Sequence, residues 1–182
     1  MIGVLIALVI MAVIGIGCLI WGIQWMQASA RTVYGGSLPP GVSALFGADL
    51  QTQRIAIFMD NTTKLMVIVM EKTLKQKDTA LPLSDPDVKK TLTSYDKTGQ
   101  LQPLFQGSEN GTPSSLKLDK QLVHTLDYTN SRGQSNVVGV LNLDNVQLAF
   151  VGVGQPSSSN LSTNVADFLG TMPIIQKDSH LH

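Results

Sequence analysis

Residues 54–71 read RIAIFMDNTTKLMVIVME and decide the fold class of this chain. Two apolar, β-branched runs, 54–59 and 64–71, flank a turn-forming segment at 60–63. Both runs are apolar on both faces, which is typical of central strands that are covered on two sides. The stretch therefore predicts a β-hairpin in the middle of a sheet.

A helix and a loop are predicted after the hairpin. In residues 85–99, Asp85 can cap the first turn, and Pro86 suits the first helical position because no amide hydrogen bond is lost there. Gly99 ends the helical pattern, and the apolar side chains that share one helical face are Val88, Leu92 and Tyr95. Residues 106–116 are rich in Gly, Ser, Asn and Pro, and they predict a surface loop.

Three more strands and a closing helix complete the predicted domain. The strands are expected at 122–128, 136–143 and 146–153. Turn residues at 130–133 and 144–145 separate them, so they predict an antiparallel meander. For the closing helix, serines 157–159 offer N-caps, Gly170 suits the C-terminal cap, and the apolar stripe consists of Leu161, Val165, Phe168 and Leu169.

On the N-terminal side of the hairpin, the first 28 residues contain no charged side chain. As a helix they would be about 42 Å long, against roughly 30 Å for the hydrocarbon core of a bilayer. Trp21 and Trp25 lie one helical turn apart near the end of the run, where their rings would prefer the headgroup boundary. The run predicts one membrane crossing. Removal after a cleavage site at Ala28-Ser29-Ala30 is the alternative.

The predicted architecture is an N-terminal single transmembrane helix followed by one α+β domain. The antiparallel sheet of this domain would have elements in the order ββαβββα. The predicted boundaries are a transmembrane anchor over 1–28, a linker over 29–44, the α+β domain over 45–175 and a flexible tail over 176–182. The linker prediction rests on Gly, Pro and the absence of hydrophobic periodicity.

The topology and the partners of the anchor are predicted less directly. Arg31, the nearest basic side chain, favours a cytoplasmic domain. Cys18 is the only cysteine, and the usual export of domains behind an N-terminal anchor favours an extracytoplasmic domain, which is the prediction here. Gly3-x-x-x-Ala7 and Cys18-x-x-x-Gly22 are spacings that let two helices approach, so a membrane protein partner or a homo-oligomer is an expected partner besides the bilayer.

The composition excludes one class of partner. Thirteen basic and thirteen acidic side chains balance, and neither sign forms a long block. The chain therefore shows no electrostatic footprint for nucleic acid or anionic lipid, and no nucleic-acid partner is predicted.

The residues that invite a chemical role each have a simpler structural interpretation. His124 and Asp127 are three apart on a predicted strand, so their side chains point to opposite faces. The segment 152–157 resembles the start of a phosphate loop but lacks its Lys-Ser/Thr ending. Met59, Met66 and Met70 have the thioether groups that bind soft metals, and Asp178, His180 and His182 have side chains that bind borderline metals. Core packing and an exposed tail explain these sets better, so no catalytic residue, cofactor or metal is predicted.

Three functions remain as hypotheses from the sequence. The first is a membrane-anchored, non-enzymatic accessory or interaction module. The second is an anchored enzyme or small-ligand binder with a site near His124 that includes Asp127 and Tyr128. The third is a structural subunit of a filament or membrane complex, because an apolar N-terminal helix before an antiparallel sheet is similar to the architecture of pilin-like subunits.

Overall fold

The computed structural model describes residues 21–50, 53–73, 105–118, 121–143, 146–155 and 160–179. Several predictions lie outside these residues: the anchor before residue 21, the helix over 85–99, the turn at 144–145, the serine caps at 157–159 and the last residues of the tail. No helix within the described ranges is long and apolar enough to span a membrane.

Seven antiparallel strands form one sheet in the order β1-β2-β3-β7-β6-β5-β4. The strands are β1 (Val42–Leu50), β2 (Gln53–Asp60), β3 (Leu65–Thr73), β4 (Thr112–Leu118), β5 (Gln121–Thr129), β6 (Ser135–Asn142) and β7 (Val146–Val153). The helices that pack on the sheet within the described residues are α1 over residues 21–34, α2 (Leu161–Gly170) and α3 (Pro173–Ser179). A 3-10 turn, Ser108–Asn110, precedes β4. The prediction of an α+β domain with an antiparallel sheet is confirmed.

The predicted hairpin is present and central. Strands β2 and β3 pair in register, with Ile57 opposite Ile68, and β3 then pairs with β7. Val67 and Val69 are buried on one face of the sheet, and Ile68 and Met70 are buried on the other. Burial on both faces was predicted from the apolar residues that both runs carry on their two faces.

Two strands were not predicted from the sequence. The segment 106–116, predicted as a loop, contains the turn Ser108–Asn110 and most of β4. Pro113 is compatible with β4 because this strand lies at the edge of the sheet, where a missing N–H is tolerated. The other edge strand, β1, begins at Val42 inside the predicted linker. The predicted five-stranded order ββαβββα is therefore wrong in its strand count.

The segment predicted as a linker, 29–44, is largely ordered into the domain. Its first residues continue α1 to Tyr34, and Ala30, Val33 and Tyr34 are buried in the core. Turn formers such as Gly35, which adopts φ +91°, come only after the helix. Likewise, α3 extends to Ser179 and overlaps the predicted flexible tail over 176–182.

Each face of the sheet carries an apolar cluster. The helix face is covered by α1, α2 and α3, and its cluster includes the buried stripe of α2 that the sequence predicted: Leu161, Val165, Phe168 and Leu169. The side of α2 lies close to β7 at Gly152, where an added Cβ would meet the side chain of Val165. The second face has its own cluster of residues from β3, β5, β6 and β7, against which Phe105 packs.

Candidate functional site

The residues of the ligand-site hypothesis, His124, Asp127 and Tyr128, all lie on β5 but do not converge. The pairing of β5 with β4 and β6 is regular, with Asp127 opposite Val137 and Tyr128 opposite Asn136. Alternation along a strand therefore places Asp127 on one face and places His124 and Tyr128 on the other. Tyr128 belongs to the second-face cluster. The structure thus separates the carboxyl group of Asp127 from the imidazole and the phenol.

Asp127 lines a pocket on the helix face, beside the first turn of α2. Ser162 Oγ donates a hydrogen bond of 3.4 Å to Asp127 Oδ2, while Asp127 Oδ1 is buried and has no hydrogen-bond partner among the described residues. The pocket has a volume of about 290 Å³, and besides Asp127 and Ser162 its lining consists of Tyr128, Thr129, Ser135, Asn136, Val137 and Leu161. Tyr128 thus borders the pocket although its side chain belongs to the second-face cluster. Burial raises the pKa of the Asp127 carboxyl group, although hydrogen bonds from Ser114 and Ser162 oppose the rise. This is a small polar pocket with one carboxyl group.

Replacement of Asp127 by Asn tests whether the buried carboxylate opposes folding. Because the pKa is raised above its ordinary value of 3.8 by burial, the stability that the carboxyl group contributes is lost as the pH rises through the folded-state pKa. Asp127→Asn should therefore raise the melting temperature at about pH 7 and change it little at about pH 3. A lower melting temperature at neutral pH would instead show that a partner of the carboxylate stabilises it.

A second set of charged residues, which the sequence did not suggest as a cluster, lies across three strands. Arg54 on β2 pairs with Asp49 on β1 and with Glu71 on β3, each at 3.1 Å. The register places the three residues in one row across the sheet. Burial raises the pKa of Glu71, and the charge of Arg54 opposes this rise. Since each carboxylate is paired with the same guanidinium group, the row is a structural ion-pair network.

Helix α1 is joined to the domain by an aromatic cluster and a hydrogen bond. The ring of Tyr34 lies 5.8 Å from that of Phe58 on β2 and 6.2 Å from that of Phe168 on α2, both edge-on. The Tyr34 hydroxyl donates to the carbonyl oxygen of Thr171 at 2.9 Å. Earlier in α1, Met26 and Ala30 contact β1: a Cβ added to Gly47 would meet the Met26 carbonyl oxygen and the Ala30 nitrogen. Glycine is thus required for the close approach of α1 to β1.

Loss of the Tyr34 hydroxyl isolates the hydrogen-bonded part of this contact. Tyr34→Phe keeps the ring against Phe58 and Phe168 but leaves the Thr171 carbonyl oxygen without this donor. We expect a loss of about 0.5–1.5 kcal/mol in the free energy of unfolding, measured by urea denaturation. Thr32→Val is a matched control, because the exposed Thr32 hydroxyl donates to the carbonyl oxygen of Ala28 in its own helix at 3.0 Å. An unchanged stability of Tyr34→Phe would contradict the role given to the hydroxyl.

Exposed apolar side chains concentrate on α1 and β1, and we call this set the apolar end. It consists of Trp21, Ile23 and Trp25 on α1 and Leu45 and Phe46 on β1. The two β1 residues lie at a register irregularity between Ala44 and Phe46, so Leu45 is the extra residue of a β-bulge. The two groups lie on adjoining elements, because α1 touches β1 at Gly47. Exposed apolar patches mark contact sites for proteins or membranes.

The other motifs noted in the sequence have structural roles where they are described. Met66 and Met70 pack in or against the second-face cluster, and Met59 lies opposite Met66 across the hairpin. Gly154 donates its backbone N–H to the Ser135 carbonyl oxygen at 2.9 Å, and an added Cβ there would meet Leu161. The hydrogen bond of Gly154 and its close approach to Leu161 both belong to the packing at the end of β7. His180 and His182 lie outside the described residues.

Comparison with known proteins finds similarity at the level of structure and none at the level of sequence. The chain matches no family model, and no curated protein is significantly similar to it. The solution structure of cyanobacterial PsbP (CyanoP) from Synechocystis sp. PCC 6803 is similar with a TM-score of 0.40 and 13% sequence identity. This similarity covers 74% of the present chain and 82% of the other.

Proposed function

We propose that this chain is a single-pass membrane protein whose α+β domain acts as a non-enzymatic interaction module, held at the bilayer surface by α1. The anchor is proposed from the uncharged residues 1–28. The domain would lie outside the cytoplasm, with the bilayer and a membrane protein or a second copy as partners. The proposal thus adds to the sequence hypothesis a fixed position of the domain relative to the bilayer.

The packing of α1 is the observation that carries this proposal. The helix that follows the uncharged run buries Ala30, Val33 and Tyr34 completely or nearly so in the core of the domain. A protein that only needed a tether would be served by a flexible, polar segment at this place. A helix that enters the core instead fixes the direction in which the chain leaves the domain. Such coupling suits a module that must present one surface at a set distance from the bilayer.

The Asp127 pocket and the apolar end support an interaction module over an enzyme. The pocket of Asp127 has one carboxyl group, and its lining includes Tyr128 but not His124. Alternation along β5 directs the side chains of Tyr128 and His124 to the other face of the sheet. General acid-base catalysis needs a second group within hydrogen-bond reach of the same reacting atom. The apolar end, by contrast, exposes five large side chains on two adjoining elements. Contact with a partner would remove this apolar surface from water.

Trypsin treatment of membranes that contain the full chain tests both parts of the proposal. Arg31 is the only basic residue before Arg54, so cleavage after Arg31 would release the domain from the anchor. If α1 is docked, cleavage requires local opening of the helix and should be slow. In Gly47→Val the new side chain would collide with α1, and overpacking of about 1–3 kcal/mol corresponds to roughly 5- to 150-fold faster release.

The control and the contradicting outcomes separate anchoring from docking. Gly170→Ala is the matched control, because an added Cβ there has no neighbour within 4 Å. The intact chain should stay with the membranes in alkaline carbonate. Extraction by carbonate, or a mature N-terminus at or after Ser29, would contradict the anchor. Rapid cleavage after Arg31 in the unchanged protein would contradict the docking of α1.

Small-ligand binding at the Asp127 pocket is a second candidate function. The observation that favours it is Asp127 Oδ1, a buried acceptor to which no residue in the described part of the chain donates a hydrogen bond. An acceptor of this kind is satisfied by a ligand donor such as an ammonium group. Addition of small primary amines should then perturb the amide resonances of Ser162 and its neighbours, and Asp127→Asn should abolish the effect. Resonances that do not move with any amine would contradict this function.

A further inference from the structure

We infer that Leu45 and Phe46 form a second contact with the lipid bilayer, separate from the transmembrane anchor. This inference rests on the proposed function, since it requires that the chain is anchored. It adds a lipid-binding surface on the folded domain itself. The occupant we assign to this surface is the interfacial region of a bilayer, where apolar side chains meet the headgroups.

The β-bulge explains why the two side chains are outside the core. Leu45 is 54% exposed and Phe46 is 38% exposed, whereas the flanking Gly47 and Ala48 are buried. The bulge inserts Leu45 between positions that are paired regularly with β2. Bulges re-aim side chains at sheet edges and are features of a fold rather than defects. Here the bulge presents two adjacent large apolar groups on an edge strand, which natural sheets otherwise protect with charge.

The bulge lies directly beside the place where α1 crosses β1. Gly47, the next residue after Phe46, touches α1 at Met26 and Ala30. From this crossing α1 runs in one direction to Tyr34 above Phe58 of β2. It therefore leaves the sheet in the other direction, past the edge strand, with Trp25 exposed just before the crossing. The bulge and the tryptophans thus occupy the same border of the domain, with the bulge on the second face of β1.

The charge distribution at this border suits a lipid contact. Residues 42–48 carry no charged side chain. The nearest charged group on β1, Asp49, is paired with Arg54, so no single charge would have to be dehydrated alone. Leu, Phe and Trp are the side chains that enter the boundary between headgroups and acyl chains.

The chain that precedes the described residues argues for lipid as the occupant. Twenty residues without a charged side chain end at Trp21, and α1 continues from there without a break to its contact with β1. If these residues lie in the bilayer, the border that α1 passes must face the same bilayer. A second copy of the chain could also cover an exposed edge strand, and the experiment below distinguishes that occupant.

A fluorescent probe on the full chain tests the contact. Cys18 is the only cysteine, so Cys18→Ser provides a background for single labels. We would place the environment-sensitive dye NBD on Phe46→Cys and reconstitute the protein into phosphatidylcholine vesicles with and without lipids that carry a doxyl quencher near the headgroup. Leu122→Cys is the matched control, because Leu122 is 59% exposed on β5, a strand in the opposite half of the sheet.

The expected result is a several-fold rise in NBD emission at position 46 and strong quenching by the doxyl lipids, with neither effect at position 122. A label at 46 that is dim and unquenched, in a protein that floats with the vesicles, shows that position 46 is in water. This result overturns the lipid contact and leaves the proposed function standing. A bright label at 46 that doxyl lipids do not quench assigns the surface to a protein partner or a second copy, and this also overturns the inference. A protein that does not float with the vesicles overturns both.

Discussion

A chain that begins at Ser43 is expected to lose most of its stability relative to a chain that begins at Gln27. The shorter chain lacks Ala30, Val33 and Tyr34, which are 0%, 0% and 1% exposed in the core. Removal of a buried aromatic side chain alone costs about 3–5 kcal/mol, and burial of a Val side chain contributes about 1.5 kcal/mol or more. The total approaches the roughly 5–15 kcal/mol that stabilises a whole domain.

Urea denaturation of the two chains, followed by circular dichroism, measures this difference. The chain that begins at Gln27 should unfold in one cooperative transition at a clearly higher urea concentration. A synthetic peptide of residues 27–42 should partly restore the stability of the shorter chain, because a ligand that binds only the folded state raises its stability. Equal midpoints for both chains would show that α1 lies outside the cooperative unit.

Phe168→Ala should cause the largest loss among single substitutions on α2. The ring of Phe168 is 4% exposed and lies 5.6 Å from the ring of Phe58 and 6.2 Å from the ring of Tyr34. Deletion of such a side chain costs about 3–5 kcal/mol through lost burial and the cavity that remains. It should also loosen α1, because Tyr34 loses one of its two aromatic partners.

The neighbouring residue provides the control for this prediction. Asp167 lies on the exposed side of α2, so Asp167→Ala should change the free energy of unfolding by less than about 0.5 kcal/mol. Melting temperature and urea midpoint, measured on the chain that begins at Gln27, report both variants. If Phe168→Ala has the same melting temperature as the unchanged protein, the aromatic cluster does not hold α1, β2 and α2 together.

The candidate pocket could be predicted only in part. The sequence correctly placed Asp127 and His124 on opposite faces, because alternation along a strand depends on spacing alone. It did not indicate that Ser162, 35 residues away, would lie beside Asp127. The ion-pair row of Asp49, Arg54 and Glu71 was missed for the same reason. Its members come together through the registers of two strand pairs, and register is not visible in the separate segments.

The hairpin of β2 and β3 and the buried stripe of α2 follow from local sequence patterns. In both, the hydrophobic period within a short segment fixes which side chains are covered. Strand β4, in contrast, depends on contacts between segments, since its polar and proline-containing sequence becomes a strand by pairing with β5. The same holds for residues 29–34, whose burial depends on distant surfaces: Gly47 leaves room for the helix backbone, and Phe58 and Phe168 form the site for Tyr34. A local pattern records which face of an element is apolar, whereas the partner of that face is set by contacts between segments far apart in the chain.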